Sequence, residues 1–469
     1  MDFYFLYVYN CVVGIINQGW KYMKLRIFNS ISNIEKDMIE SISKSVSIES
    51  VIGEEVENCP FGENIDNVLT YTLELCESLG FRTFKDKEGY YGYAEIGEGE
   101  ELVGILGHLD VVPAGDRNAW NTDPFKATII DGKLYGRGTQ DDKGPTISAI
   151  YAVKALLDSE IKLNKRVRFI FGTDEETLWR DMAKYNENKE ELPSFGFTPD
   201  SQFPCINAEK GLLQCLIKSD KASPIRIKGG DAFNAVPSKI EYTGEKQEEV
   251  RAELTRLGFE YTSDEKSITV IGKSVHSQKC NEGVNAIIRL CIALNNIGIT
   301  SDAIKFVAEV IGEDAHANKI LPGCEDVSGK LTCNVGKIDL SEDGQVISLD
   351  VRIPVTVEKE AFTNNLVNVA SKYNLTYSEY DWAKSIYLPV DHFLIKTLRK
   401  VYEEETGLDS TPLSSGGATY ARAIDNCVAF GMIFPWGKKT EHQPNEYIEI
   451  KDLIKATQIY ALAIYDLTR

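Results

Sequence analysis

The stretch "ELVGILGHLDVV" (residues 101–112) is a near-continuous apolar run that ends in polar residues. Such a run is typical of a central strand that is buried on both faces of a parallel sheet. His108 and Asp110 follow at the point where this strand should end. Because ligands of open α/β sheets bind at the carboxyl ends of the strands, we interpret "GHLD" as part of a functional site.

Strands and helices alternate on both sides of this run. Pro145 stands where a helix can begin, and "KRVRFIFGTDEE" (165–176) predicts the next buried strand. This alternation predicts a three-layer α/β domain with a mostly parallel central sheet. Within residues 212–384 the pattern changes to α+β, and the α/β pattern then resumes. We therefore predict one α/β domain in two parts, 23–211 and 385–469, interrupted by an inserted α+β domain at 212–384.

Composition limits the partners and the compartment. The 469 residues carry a formal net charge of −20, which argues against nucleic acid and against stable association with an anionic membrane. Ten cysteines without a C-x-x-C pair are typical of free thiols in a reducing compartment, and we predict a cytoplasmic protein. Residues 1–22 form an N-terminal extension whose status the sequence leaves open, because Met23 is an alternative start. Its apolar part, "FYFLYVYNCVVGII" (3–16), is too short to span a bilayer, and a weak membrane anchor is the minority interpretation.

Acidic residues and a second histidine follow other predicted strands. They are Asp141 and Asp142 of "QDDKG", Asp174, Glu175 and Glu176 of "GTDEE", Asp200 of "TPDS", and His442 of "EHQPNE". Each group alone has a structural explanation, such as a turn or acids in the first turn of a helix. Their recurrence at successive strand ends favours a metal site instead. Two histidines with several carboxylates suit Zn²⁺, Mn²⁺ or Co²⁺, and one carboxylate can bridge two such ions about 3.5–4 Å apart. A structural Ca²⁺ site is disfavoured by the histidines.

These motifs together resemble one family. "GHLDVVPAGD", "DGKLYGRGTQDDKGP", "GTDEE", "EKG" and "HQPNE" are similar, in order and spacing, to the dinuclear zinc peptidases and deacylases. That family includes carnosinase-type dipeptidases, aminoacylases and glutamate-releasing carboxypeptidases. "GTDEETLWRDMAKY" and "GFTPDSQFP" look most like the bacterial PepV-type dipeptidases, and the similarity runs from about residue 30 to the C-terminus.

The resemblance implies a metal ligand at five positions. His108 and Asp200 would bind one ion, and Glu176 and His442 would bind the second, with Asp141 bridging both. The implied cofactor is Zn²⁺, two per chain, with Mn²⁺ or Co²⁺ as alternatives.

Further roles follow from the same resemblance. Glu175 matches the general base, and Asp110 matches an acid that orients His108 by a hydrogen bond. Asp142 and Asp174 would be supporting acids.

The inserted domain would be a lid that closes over the substrate. His276 of "GKSVHSQ" matches a histidine that supports the oxyanion, and Asn234 and Arg352 match residues that grip the substrate. "SSGGATYAR" (414–422), with Gly417, resembles a glycine-rich loop whose backbone N–H groups approach a carboxylate. Val275 and "SQKC" depart from the family, in which small residues are common there.

The implied activity is metal-dependent hydrolysis of dipeptides. The alternatives are an N-acyl amino acid deacylase of the same family and, from a different class, a metal- or peptide-binding protein without turnover. By analogy with PepV-type enzymes, a monomer is favoured. The preferred dipeptides, the native metal and the motion of the lid are left open by the sequence.

Overall fold

The computed structural model describes residues 2–469, with side chains described from Gly19 onward. The predictions for residues 1–22 concern mostly side chains that lie outside this described part. The chain forms two compact units. The second consists of Ala208–Tyr387 and Ser414–Ala418, and the first contains the rest of the chain. The predicted domain boundaries at 212 and 384 stay a prediction, because compactness alone does not define a folding domain.

The first unit is built on a mixed sheet with a parallel centre. Strand Leu102–His108 lies between Arg166–Gly172 and Phe195–Thr198 and runs parallel to both. Cys427–Ala429 continues the parallel order beside Phe195–Thr198. All seven residues of Leu102–His108 are buried, as expected for an apolar strand with neighbours on both sides. The carboxyl ends of these strands therefore meet at one edge of the sheet.

The remaining strands of the first unit extend this sheet or form smaller ones. Arg82–Lys85 and Gly92–Ile96 form an antiparallel hairpin, and Gly92–Ile96 pairs antiparallel with Arg166–Gly172. The other strands are Thr128–Ile130, Lys133–Tyr135, Ser201–Gln202, Ile206–Glu209, Leu413–Ser415, Met432–Ile433 and Tyr447–Glu449. The chain passes into the second unit within Ile206–Glu209 and again within Leu413–Ser415.

Helices of the first unit include three that pack on one another, namely Asp2–Val46, Lys143–Asp158 and Ile450–Leu467. Lys143–Asp158 begins two residues before Pro145, which therefore occupies the first turn, where its missing N–H removes no helical hydrogen bond. The other helices are Glu63–Ser78, Arg180–Glu187 and Phe393–Thr406, with short 3₁₀ turns at Arg117–Ala119 and Tyr420–Ala423.

The second unit is α+β. Its antiparallel sheet has five strands in the order Ile227–Gly229, Thr332–Ser341, Gly344–Ile353, Gly211–Ser219 and Thr376–Ala383. A smaller sheet and short strands accompany it: Lys239–Tyr242, Tyr261–Ser263, Ile268–Ile271, Glu325–Asp326, Gly329–Lys330 and Ile386–Tyr387. The helices are Gln247–Leu257, Ala286–Asn296, Asp302–Lys305, Phe306–Ile311 and Lys359–Ser371, and Ser277–Glu282 forms a 3₁₀ segment.

The predicted fold class is confirmed, namely α/β with a mostly parallel central sheet and an inserted α+β unit. Within the part of the chain that the structure describes, none of the helices combines the length and the apolar content needed for a bilayer crossing.

Candidate active site

His108 is the last residue of the central strand, and a hydrogen bond at Nδ1 fixes the orientation of its ring. Its Nδ1 lies 2.9 Å from the backbone oxygen of Asp110. Because a carbonyl oxygen can only accept, Nδ1 carries the proton in this contact. Nε2 then points at the carboxylate of Asp141, 2.9 Å from Oδ1, and lies 3.8 Å from Oδ2 of Asp200. In a neutral ring this nitrogen presents a lone pair to two carboxylates, so a proton or a metal cation is needed there.

His442 approaches the same carboxylate from the other side. Its Nε2 lies 3.0 Å from Oδ2 of Asp141 and 2.9 Å from Oε1 of Glu176. The backbone of His442 has a φ of +60°, in the left-handed region that few residues other than glycine adopt. The two oxygens of Asp141 therefore serve two histidines, each accompanied by one further carboxylate.

The charge balance of this cluster calls for cations. Burial raises the pKa of Glu175 and Asp200 well above the usual range, and it also raises the pKa of Glu176, with the charge of Asp141 adding to the effect in each case. Burial alone would lower the pKa of His442, but hydrogen bonds to Asp141 and Glu176 raise it to about 11. Buried acids that resist ionisation and histidines that hold protons indicate a deficit of positive charge.

The donor set fits divalent metal ions. His108, Asp141 and Glu176 each offer a ligand atom, and these atoms lie within 4.8 Å of one another. Imidazole nitrogen with carboxylate oxygen suits Zn²⁺ and similar ions. Of the predicted ligands, Asp200 adjoins His108 and His442 adjoins Glu176, which is the division between two ions that the resemblance implied.

Asp110 contacts His108, but through its backbone oxygen rather than through the predicted hydrogen bond of its carboxylate. Its carboxylate accepts the backbone N–H of Glu175 at 3.2 Å and that of Glu176 at 3.0 Å. Its Oδ1 is 3.6 Å from Nδ1 of His108, and the shorter contact to the ring comes from its backbone oxygen. Asp110 thus ties the end of one strand to the turn that follows the neighbouring strand.

The two predicted supporting acids stabilise turns. Asp142 accepts from the backbone N–H of His108 at 3.2 Å and from the hydroxyl of Thr146 at 2.7 Å. Asp174 accepts from the guanidinium and the backbone N–H of Arg180. Both side chains are buried. Asp142 thereby holds the backbone at His108, and Asp174 holds the segment that follows Glu175.

Asp181 was not identified from the sequence. Its side chain is fully buried and accepts the backbone N–H of Thr173 at 2.7 Å and the hydroxyl of Tyr420. It therefore supports the turn immediately before Glu175. In the sequence it reads as an ordinary acid in the first turn of a helix, and nothing distinguishes it from such an acid.

Glu446, which was also not identified from the sequence, holds the loop that carries Asp141. One oxygen of Glu446 accepts from Arg137 at 2.6 Å, and both side chains are buried. The other oxygen accepts the backbone N–H groups of Gly138, Gln140 and Asp141 at 3.0, 2.9 and 3.2 Å. Glu446 is the last residue of "HQPNE", and its contacts lie about 300 residues away in sequence, so local patterns carry no sign of them.

Gln140 adds a link to the His442 loop. Its side-chain oxygen accepts the backbone N–H of Thr440 at 2.7 Å and that of Glu441 at 3.1 Å. Its side-chain nitrogen donates to the backbone oxygen of Tyr447 at 3.2 Å. The loops that carry Asp141 and His442 are therefore hydrogen-bonded to each other.

The other predicted residues lie in the second unit. Asn234 and His276 are exposed, and Nδ1 of His276 accepts the backbone N–H of Gln278 at 3.3 Å. A neutral His276 ring in this state carries its proton on Nε2. The N–H of Gly417 donates to the hydroxyl of Ser415 at 2.9 Å.

Arg352 is buried and already well bonded. Its guanidinium donates to both oxygens of Asp350, at 2.7 and 3.0 Å. It also donates to the hydroxyl of Ser277 at 3.1 Å and to the backbone oxygen of Gly416 at 2.7 Å. Arg352 therefore joins the segment after His276 to the glycine-rich segment.

The fold and this cluster define a metallopeptidase. The model of peptidase family M20/M25/M40 matches residues 104–466, and the chain belongs to that family. A relative from Bacillus subtilis, "Putative dipeptidase YtjP", is 38% identical over 462 residues, covering 93% of this chain and 98% of the relative.

Two solved structures share the fold. Human carnosine dipeptidase 1 has a TM-score of 0.59 at 18% identity, covering 95% of this chain and 99% of that one. The dipeptidase Dug1p from Saccharomyces cerevisiae has a TM-score of 0.61 at 14% identity, covering 94% and 98%. The predicted family and the predicted metallopeptidase class are confirmed.

Glu446→Gln should destabilise the protein strongly. The change removes the anion that pairs with buried Arg137, and breaking such a pair costs about 3–5 kcal/mol of unfolding free energy. Glu449→Gln is the matched control, because Glu449 pairs with Lys451 at the surface, where a salt bridge contributes about 0–1 kcal/mol. Denaturant unfolding at pH 8 compares the two variants. An equal loss in both would contradict the role assigned to Glu446.

Proposed function

We propose that the protein is a dipeptidase that uses two divalent cations, with Zn²⁺ first among the candidates. The observation that carries the proposal is Asp141, whose two carboxylate oxygens contact His108 and His442 separately. His108 and Asp200 would hold one ion and His442 and Glu176 the other, with Asp141 shared. The relative named as a dipeptidase, which matches nearly the whole chain, supports the substrate class.

Two divalent cations held by these residues would lower the pKa of a bound water molecule and would polarise the peptide carbonyl. Glu175 is proposed to act as the general base. Its side chain is half-buried beside the cluster, and burial raises its pKa well above the usual range. Asp110 holds its backbone. Glu175 takes the proton of the attacking water and later gives it to the amine that leaves.

Residues of the inserted unit are proposed to bind the substrate. His276 would donate from Nε2 to the oxygen that becomes negatively charged, which the contact at Nδ1 supports. Asn234 would hydrogen-bond the substrate. Arg352 and the backbone near Gly417 would bind its terminal carboxylate. Asp350, Ser277 and Gly416 already accept four of the five N–H groups of Arg352, so Arg352 would offer the carboxylate one further N–H.

The compartment and the oligomeric state belong to this proposal as well. The free thiols of the described cysteines support a reducing compartment such as the cytoplasm. A monomer is retained as a prediction.

A substrate panel tests the proposed activity. The metal-free protein is reloaded separately with Zn²⁺, Mn²⁺ and Co²⁺, and hydrolysis of dipeptides, tripeptides and N-acyl amino acids is measured. We expect dipeptides to give the highest kcat/KM with at least one ion. A preference for N-acyl amino acids would instead identify a deacylase, and binding of dipeptides without turnover would identify a binding protein.

Glu175→Gln should keep the bound cations and lose activity. Gln is nearly the same size but cannot accept the proton of the water, so kcat should fall by about 10²- to 10⁴-fold. Glu190→Gln is the control, because Glu190 lies outside the cluster and contacts Tyr91. Metal content by elemental analysis and kcat are measured for both. Near-normal kcat in Glu175→Gln would show that another group is the base.

His442→Ala should reduce the number of tightly bound cations from two to one per chain. The variant removes one of the two nitrogens beside Asp141 and leaves His108 in place. His392→Ala provides the control, because it also removes a histidine. His392 caps the helix Phe393–Thr406 and is not one of the proposed ligands. Elemental analysis after dialysis counts the ions. A value of two in His442→Ala would remove this residue from the proposed ligand set.

A further inference from the structure

In the second unit, the segments that carry Asn234 and His276 are paired with each other. Ala235 and His276 form an antiparallel bridge. The backbone N–H of Ser277 donates to the backbone oxygen of Asn234 at 2.9 Å. A shift of one segment would therefore be passed on to the other.

The opposite edge of the Asn234 segment is held by one buried side chain. Nδ2 of Asn334 donates to the backbone oxygen of Phe233 at 3.0 Å and to that of Ala235 at 2.9 Å. Since carbonyl oxygens only accept, the amide nitrogen must face both of them. These carbonyls belong to the residues on either side of Asn234, so one side chain holds the peptide before Asn234 and the peptide after Ala235.

Asn334 is itself fixed by its surroundings. It is 2% exposed and lies within strand Thr332–Ser341. Its oxygen accepts from the side chain of Asn285 at 3.1 Å. Asn285 also donates to the backbone oxygen of Val335 at 2.8 Å and accepts the N–H of Ile288 at 3.1 Å. A network of one buried and one half-buried side chain, with both amides hydrogen-bonded in this way, is rigid.

Gly336, two residues after Asn334, lets the backbone of the Asn234 segment approach the strand closely. A Cβ atom at Gly336 would lie 2.5 Å from the backbone oxygen of Phe233 and 2.6 Å from that of Ala232. The segment therefore rests directly on the strand that carries Asn334. Phe233 also stacks on Tyr380, with ring centroids 4.8 Å apart. Several contacts hold the segment, and among them Asn334 donates hydrogen bonds to the carbonyls of both residues beside Asn234.

We propose that Asn334 is a positioning residue that keeps Asn234 and His276 in register for the substrate. The inference rests on the proposed function, in which those two residues contact the substrate. Without the Asn334 amide, the two carbonyls lose their donors and the paired segments loosen. A displacement of about 1 Å in groups that act on the reacting bond can cost about 10²-fold in rate.

The first test does not depend on activity. Hydrogen exchange is measured for peptides that cover residues 232–237 and 275–278 in Asn334→Ala, in Asn334→Ser and in the exposed control Asn364→Ala. We expect faster exchange in both segments for Asn334→Ala and a smaller increase for Asn334→Ser, whose hydroxyl can restore one bond. If Asn334→Ala does not fold, Asn334→Ser decides. Unchanged exchange in both segments would overturn the proposal.

The second test separates positioning from a general structural role. For Asn334→Ala, kcat/KM for a dipeptide should fall by roughly 10- to 100-fold, with metal content unchanged. In a background that carries both Asn234→Ala and His276→Ala the same change should have a much smaller effect, because both residues through which Asn334 acts are already lost. Independent, multiplying effects would overturn the proposal. If the unaltered protein hydrolyses no dipeptide, the proposed function fails, while hydrogen exchange still decides the role of Asn334.

Discussion

The candidate site depends on a buried carboxylate that does not face it, the side chain of Glu446. Glu446 pairs with Arg137 and accepts the backbone N–H groups of Gly138, Gln140 and Asp141. These contacts determine where Asp141 lies. Burial raises the pKa of Glu446 to about 7 in spite of the pair with Arg137. Charge-assisted hydrogen bonds are strong enough to offset much of this desolvation. Gln140 extends the support to the loop of His442, so both sides of the shared carboxylate are fixed by contacts between loops.

Protons and cations compete within the cluster that Glu446 supports. Burial would lower the pKa of His108, but hydrogen bonds to Asp110 and Asp141 raise it well above the usual range, and the pKa of His442 is about 11. Each histidine must therefore give up a proton before its nitrogen can bind a metal ion. Metal affinity of such a site falls as pH falls, because ions have to displace protons. Burial of the carboxylates makes this exchange favourable once a divalent cation arrives.

Much of the fold could be predicted because the decisive signals are local. The apolar run before His108, the hairpin near residue 90 and the helix of "TISAIYAVKALLDSEI" follow from patterns within a few residues. Strands Thr332–Ser341 and Thr376–Ala383 lack such a local pattern. The first contains Asn334 and Gly336, which weaken a strand pattern, and the second is largely exposed and lacks a buried alternation.

The proposed metal ligands stay a prediction that rests on family motifs. His108, Glu176 and Asp200 lie at or just after strand ends, whereas Asp141 and His442 lie on loops farther from a strand. Glu446, Gln140 and Asp181 act through contacts with distant segments. In the sequence, a Glu whose carboxylate accepts N–H groups from residues about 300 positions away cannot be distinguished from a Glu in an ordinary turn. Supporting residues of this kind therefore become visible only in three dimensions.

The departure from the family pattern at Val275 has a physical explanation in the second unit. A Cβ atom at Gly283 would lie 2.7 Å from Cγ2 of Val275, so the missing side chain at 283 provides the space that Val275 occupies. The two segments are neighbours, because Lys273 and Val284 pair in an antiparallel bridge. Ser277 meanwhile keeps its bond to Arg352. The larger residue before His276 is thus accommodated without disturbing the pairing that places His276 beside Asn234, which is why a one-residue departure in sequence carries little weight against the assignment of that histidine.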